Sequence, residues 1–145
     1  MTSSQTLQHV ARLVLRLALG FIMVAHGLQK YSEYTIPGTQ GAFVQMGIPA
    51  AEFVAPLVAT FEIVGGILLI IGFLVRPVAI LATVQMLGAL FMVHAGAGIY
   101  AEKGGYELVL ILAVVAVTLA LVGPGKYSID QAAFANRSGA VSKLA

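Results

Sequence analysis

Glu62 is a carboxylate in apolar surroundings. It lies in the run Phe53 to Val75, where Thr60 is the only other polar residue. An ionisable group inside a long apolar run marks a functional site by default, because hydrocarbon solvates charge poorly. Two chemistries suit such a group: carrying a proton, or hydrogen-bonding a quinone-like ligand. Arg16 is the cation to test against it. An Arg16–Glu62 ion pair would make the carboxylate chiefly structural, whereas a carboxyl that keeps its proton would make it a proton-handling site. His26 and His94 fall near the far ends of their own apolar runs, where either could relay a proton. Paired histidines can also ligate a haem axially, but no further haem-like pattern accompanies them, and haem is not expected.

The candidates for catalysis are therefore Glu62, Arg16, His26 and His94, and those for ligand contact are Glu62, His26, Lys30, Gln85 and Glu107. Each has a structural alternative. Arg16 can snorkel to headgroups, and either histidine can bond a backbone carbonyl. Gln85 reads as interhelical glue, and Glu107, near Lys103, reads as a marker of the membrane interface. Gln85 and His94 are nine residues apart, so on a straight helix they point in opposite directions and cannot line one site.

Four apolar stretches must position these groups, at about residues 11–30, 51–75, 77–98 and 105–123. At about 1.5 Å per residue, the first three can cross a hydrocarbon layer of about 30 Å. The core of the fourth, Leu108 to Val122, is only about 22 Å long as a helix and needs its flanks to span. The first run, behind Arg12 and Arg16, lacks a small-residue cleavage site before a polar region, so it reads as a retained span. Between Tyr31 and Ala50 the chain is partly apolar, which predicts an interfacial segment or one folded back over the bundle. Residues 131–145 read as a polar tail.

On the second run Glu62 shares a face with Ala55, Ala59, Gly65 and Gly66. Small residues let helices approach closely in lipid, so the carboxylate is expected to face a neighbouring helix. Arg16 shares a face with Gly20, Met23, Gly27 and Lys30, again a packing face. A weak internal echo links Leu19-Gly20 and His26 to Leu87-Gly88 and His94 at the same spacing.

Composition agrees with a lipid solvent: 59% of the 145 residues are hydrophobic and only 10% charged, against about 25% charged in soluble domains. A net charge of +2 with scattered basic residues excludes a nucleic-acid partner. There is no cysteine, which removes thiolate and iron–sulfur chemistry, and no residue cluster predicts a metal site. No phosphate-binding glycine loop or dinucleotide fingerprint is present.

Together, Arg16-x3-Gly20, His26-Gly27-x2-Lys30, Gly47-x-Pro49, Glu62-x2-Gly65-Gly66-x-Leu68-Leu69-x2-Gly72 and Gly123-Pro124-Gly125-x2-Ser128-Ile129-Asp130 resemble the DoxX family of small membrane proteins. The resemblance spans about Arg12 to Asp130. It implies a four-helix membrane protein, described as an oxidoreductase or a quinone-linked oxidase component, and it brings no set of catalytic residues with it.

The reading is an all-α membrane protein, a four-transmembrane-helix bundle of the bacterial cytoplasmic membrane. Arg12, Arg16, Arg76, Lys126, Arg137 and Lys143 fall on one side of the spans and Lys30 and Lys103 on the other, so both termini are expected in the cytoplasm. The function expected is a component of a membrane redox or quinone-linked system with a polar intramembrane pocket around Glu62. Its partners would be the lipid bilayer and a soluble or membrane redox protein, with a homo-oligomer compatible. The alternative is a non-enzymatic transport subunit, or a scaffold for a soluble partner.

Overall fold

A computed structural model describes residues 2–134. Among these residues every regular element is helical. The first helix, α1 (Ser3–Ser32), begins well ahead of the apolar run, because Thr2 and Gln5 close a capping box on its first turn. A short helix, α2 (Ile36–Gln45), occupies the connection expected to lie at an interface or to fold back over the bundle, with Pro37 in its first turn. It folds back along α3 (Ala51–Ile71), which runs unbroken through Pro56. A tight turn at Gly72 leads into α4 (Val75–Ala89). That helix continues as a π-helical segment, Leu90–His94, and a 3₁₀ turn, Ala95–Ala97. After a loop with a second 3₁₀ turn (Ala101–Lys103), α5 covers Glu107–Val122 and α6 covers Ile129–Phe134.

Three helical stretches are long and apolar enough to cross a membrane: Ser3–Ser32, Ala51–Ile71 and Val75–Ala97. The fourth, Glu107–Val122, has 16 residues, about 24 Å of helix, and is shorter than the hydrocarbon thickness by itself. Most of the expected tail, residues 135–145, lies outside the described residues, as do Arg137 and Lys143.

The helices pack as two pairs, α1 along α3 and α4 along α5, with sparser contact between the pairs. Close approach within the first pair is a matter of glycine. A Cβ on Gly20 would stand 2.6 Å from the Gly66 carbonyl oxygen, and one on Gly27 would stand 2.8 Å from that of Ala59. The two helices are therefore antiparallel, with Gly20 opposite Gly66 and Gly27 opposite Ala59. Gly88, the counterpart of Gly20 in the internal echo, has open space around it, so the echo does not extend to packing.

Inside and outside are distributed as lipid dictates. The centre is rich in alanine (Ala55, Ala59, Ala79, Ala82 and Ala116 are fully buried), with Leu19, Met23, Leu69 and Leu119 between them. Large apolar side chains such as Phe21, Phe53, Phe91 and Leu121 point outward. Water would oppose such an arrangement, and hydrocarbon accepts it.

Candidate functional site

The end of the bundle that carries the N-terminus is closed by polar contacts to backbone. Arg16 is 1% exposed. Its guanidinium donates to the Leu69 and Ile70 carbonyls at 3.0 and 3.2 Å, and to those of Pro124 and Tyr127 at 2.7 and 2.9 Å. The first two belong to the last turn of α3, where carbonyls lack intrahelical donors and the helix dipole favours a cation. Arg76 serves α5 in the same way, donating to the Ala120 carbonyl. Asp130, fully buried, accepts from the Leu74 and Val75 amides at 2.8 and 2.9 Å and so caps the start of α4. Its own amide donates to the Gly72 carbonyl. The Gly123-Pro124-Gly125 turn, with both glycines at positive φ, brings the chain back under the bundle to make this clamp.

Arg16 is thus committed to the clamp, and the expected Arg16–Glu62 pair does not form. Glu62 is paired by Lys30, whose Nζ lies 2.6 Å from Oε2. The reason is the lean of helical side chains toward their own N-terminus. Because α1 and α3 are antiparallel, Lys30 leans down toward Glu62 while Glu62 leans up to meet it. Arg16 leans away from both. Lys30 already lay on the packing face of α1, and the lean separates it from Arg16 only once the antiparallel register of α1 and α3 is known.

The other carboxylate oxygen accepts from Gln85: Nε2 lies 2.6 Å from Glu62 Oε1. Glu62 is 5% exposed and ties α1 and α3 to α4 across the gap between the helix pairs. Gly65 and Gly66 make this feasible, since Gly66 admits α1 and Gly65 lets α3 approach Val78 of α4.

Beyond this triad the gap opens into a cavity of about 1130 Å³. Its walls are mostly apolar, with Met23, Phe61, Met86 and Leu112 among them, and α2 covers it through Thr39, Ala42, Phe43 and Met46. Glu62, Lys30, Gln85, His26 and His94 all line it. Gln85 and His94 reach the same cavity, contrary to the straight-helix expectation. The π-helical segment Leu90–His94 intervenes, and its wider turn rotates the chain less per residue. His94 Nδ1 is 2.7 Å from the Gly104 carbonyl oxygen, whereas His26 has no hydrogen-bond partner among the described residues. Glu107 stands apart from the triad, its Oε1 accepting from the Ala101 amide at 2.7 Å in the loop before α5.

Five of the seven candidate residues therefore share one cavity, and the other two, Arg16 and Glu107, hold backbone elsewhere. Asp130 entered the sequence reading only as part of a motif. Its capping role needs the chain reversal at Gly123 and Gly125 and has no local sequence signal.

The chain is similar to known membrane proteins. The DoxX family profile matches residues 11–95, a stretch that contains Arg16, His26, Lys30, Glu62, Gln85 and His94. The chain is 31% identical over 134 residues to "Putative oxidoreductase CatD" of Bacillus subtilis, covering 92% of this chain and 95% of that protein. It is 32% identical over 130 residues to "Inner membrane protein YqjF" of Escherichia coli, covering 86% and 93%. With "Inner membrane protein YphA" of Escherichia coli it shares 26% identity over 127 residues, covering 84% and 89%. No solved structure gives a significant match. With apolar spanning helices, a lipid-suited exterior and this match over more than half its length, the chain belongs to the DoxX family of membrane proteins.

Proposed function

We propose that this protein binds a lipid-soluble redox ligand of the quinone class in the cavity beside Glu62, as a component of a membrane electron-transfer system. The observation that carries the reading is the Lys30–Glu62–Gln85 triad at the wall of an otherwise apolar cavity of about 1130 Å³. Ligand sites are typically concave and mostly apolar, with a few convergent polar groups that fix orientation. The residues fit such a ligand. The apolar walls accommodate a ring and tail, the Lys30 ammonium can donate to a ring oxygen, and the Glu62 carboxylate holds that ammonium at the cavity wall. A bound quinone couple would supply the electron chemistry. The chain supplies orientation, an apolar wall and a carboxylate whose position is fixed from two sides. The description of a relative as an oxidoreductase agrees with this reading.

In the proposed topology the chain crosses a bacterial cytoplasmic membrane four times, α5 being the fourth crossing, with Tyr106 and Glu107 at its outer end. Both termini and the Arg16–Asp130 clamp lie on the cytoplasmic side, and the cavity opens in the outer half. The bias of basic residues supports this orientation.

Titration of the purified protein in detergent with a short-chain benzoquinone tests the ligand assignment. Saturable binding that weakens about tenfold or more in Glu62→Gln is expected. Absence of binding in the wild-type protein would refute the reading. Altered solute uptake by Glu62→Gln cells, without any quinone binding, would favour a transport subunit instead.

A further inference from the structure

We propose that a groove between α1 and α5, at the end of the bundle that carries the N-terminus, holds an anionic phospholipid, with Arg12 as the contact for its phosphate. The site is separate from the cavity beside Glu62 and does not depend on what that cavity binds.

The groove is lined by Gln8, Ala11, Arg12 and Leu15 of α1 and by Thr118 and Val122 of α5. Helical spacing puts the first four on one face of α1 and the last two on one face of α5. The groove has a volume of about 270 Å³ and walls that are almost wholly apolar. Thr118 adds little polarity, because its hydroxyl donates to the Val114 carbonyl of its own helix at 2.8 Å. Such a wall suits a stretch of one acyl chain.

Arg12 lies one helical turn from Leu15 toward the N-terminal end, and the chain reversal after α5 fixes its place. The Lys126 amide donates to His9 Nδ1 at 3.2 Å and so pins that turn to α1. A Cβ on Gly125 would stand 3.1 Å from Arg12 Cδ. The stem of Arg12 therefore packs on the turn that ends the bundle, and its charged head is carried to the headgroup level. Unlike Arg16, which donates to four carbonyls, Arg12 has no hydrogen bond or ion pair among the described residues. No carboxylate is at hand to answer it. Of the six acidic residues, Glu33, Glu52, Glu102 and Glu107 lie at the opposite end of the bundle. Glu62 is paired with Lys30, and Asp130 is taken up by the Leu74 and Val75 amides.

A guanidinium can grip a phosphate through two parallel N–H donors. An apolar groove with an unpaired cation at its headgroup end thus complements a phospholipid in both shape and charge. The acyl chain lies against Leu15, Thr118 and Val122, and the phosphate meets Arg12. A zwitterionic lipid carries the same phosphate, but its amine offsets the charge, so an anionic headgroup is preferred.

The experiment titrates the full-length protein in detergent with phosphatidylglycerol, or with phosphatidylcholine of the same acyl chains, and reads bound lipid by native mass spectrometry. The first phosphatidylglycerol should bind about fivefold tighter than the first phosphatidylcholine, the difference one interfacial Arg makes toward an anionic lipid. Arg12→Gln should lower that ratio to about twofold or less. Ala11→Phe keeps the charge but fills the groove from an exposed position, and it should weaken phosphatidylglycerol binding at least as much. Lys103→Gln removes a charge at the opposite end and should leave the ratio unchanged. If one groove variant fails to fold, the wild-type ratio and the other variant decide. Equal binding of the two lipids to the wild-type protein would overturn the proposal, as would undiminished binding to Ala11→Phe. A stable dimer that excludes lipid would place a second copy of the chain in the groove and overturn it as well.

Discussion

At the residue scale, Glu62 is held by two different helices through two short contacts, and each partner sits where its helix direction makes it lean. A buried ion pair carries a specific energetic signature: removing one partner strands the other. Lys30→Met is therefore expected to lower stability by about 3 kcal/mol. Adding Glu62→Gln should restore most of that loss, since the stranded charge is gone. Unfolding in mixed micelles, run as a double-mutant cycle, measures both. Arg16 makes a parallel case without a carboxylate. Lysine cannot reproduce the planar fork that reaches four carbonyls, so Arg16→Lys should destabilise by about 2 kcal/mol. The small-residue face around Glu62 was legible in the sequence, because helical periodicity alone brings Ala55, Ala59, Gly65 and Gly66 together. The choice of Lys30 over Arg16 was not. It depends on the antiparallel register of α1 and α3, which spacing along one helix does not encode.

At the scale of elements, the glycines divide into those that permit a crossing and those that do not. A side chain at Gly20 meets the Gly66 carbonyl oxygen at 2.6 Å and the Ile70 side chain at 2.8 Å. Gly20→Val is expected to cost about 3 kcal/mol by forcing α1 from α3, and with them Lys30 from Glu62. Gly88→Ala meets nothing within 4 Å and should be neutral, or stabilising by about 0.5 kcal/mol through reduced backbone entropy in the unfolded chain. Thermal unfolding of the two variants side by side separates packing glycines from incidental ones. Helix existence was readable from apolar length. The π-helical segment at Leu90–His94 was not, since it is a local change of winding within an unbroken apolar run. It decides whether His94 faces the cavity.

The whole molecule is two helix pairs joined at one end by a clamp of backbone contacts and separated toward the other by the cavity. The clamp explains why the Gly123–Asp130 stretch belongs to the fold and not to a tail: Asp130 caps α4, and Arg16 ties Pro124 and Tyr127 to the end of α3. Asp130→Ala should cost about 1–2 kcal/mol by the loss of two capped amides, measured as a lowered midpoint of unfolding. The composition, with its scarcity of charge, announced a lipid environment. The cavity could not be read there, because it arises from uneven contact between helix pairs and from α2 folding over them. The central claim is that this cavity holds a quinone-class ligand by way of Glu62. Its most direct test is to extract the protein gently from native membranes and analyse the co-purifying lipids by chromatography and mass spectrometry. The account predicts a quinone or quinol in near-stoichiometric amount with the wild-type protein and a marked loss with Glu62→Gln. Equal, trace amounts in both preparations would contradict it.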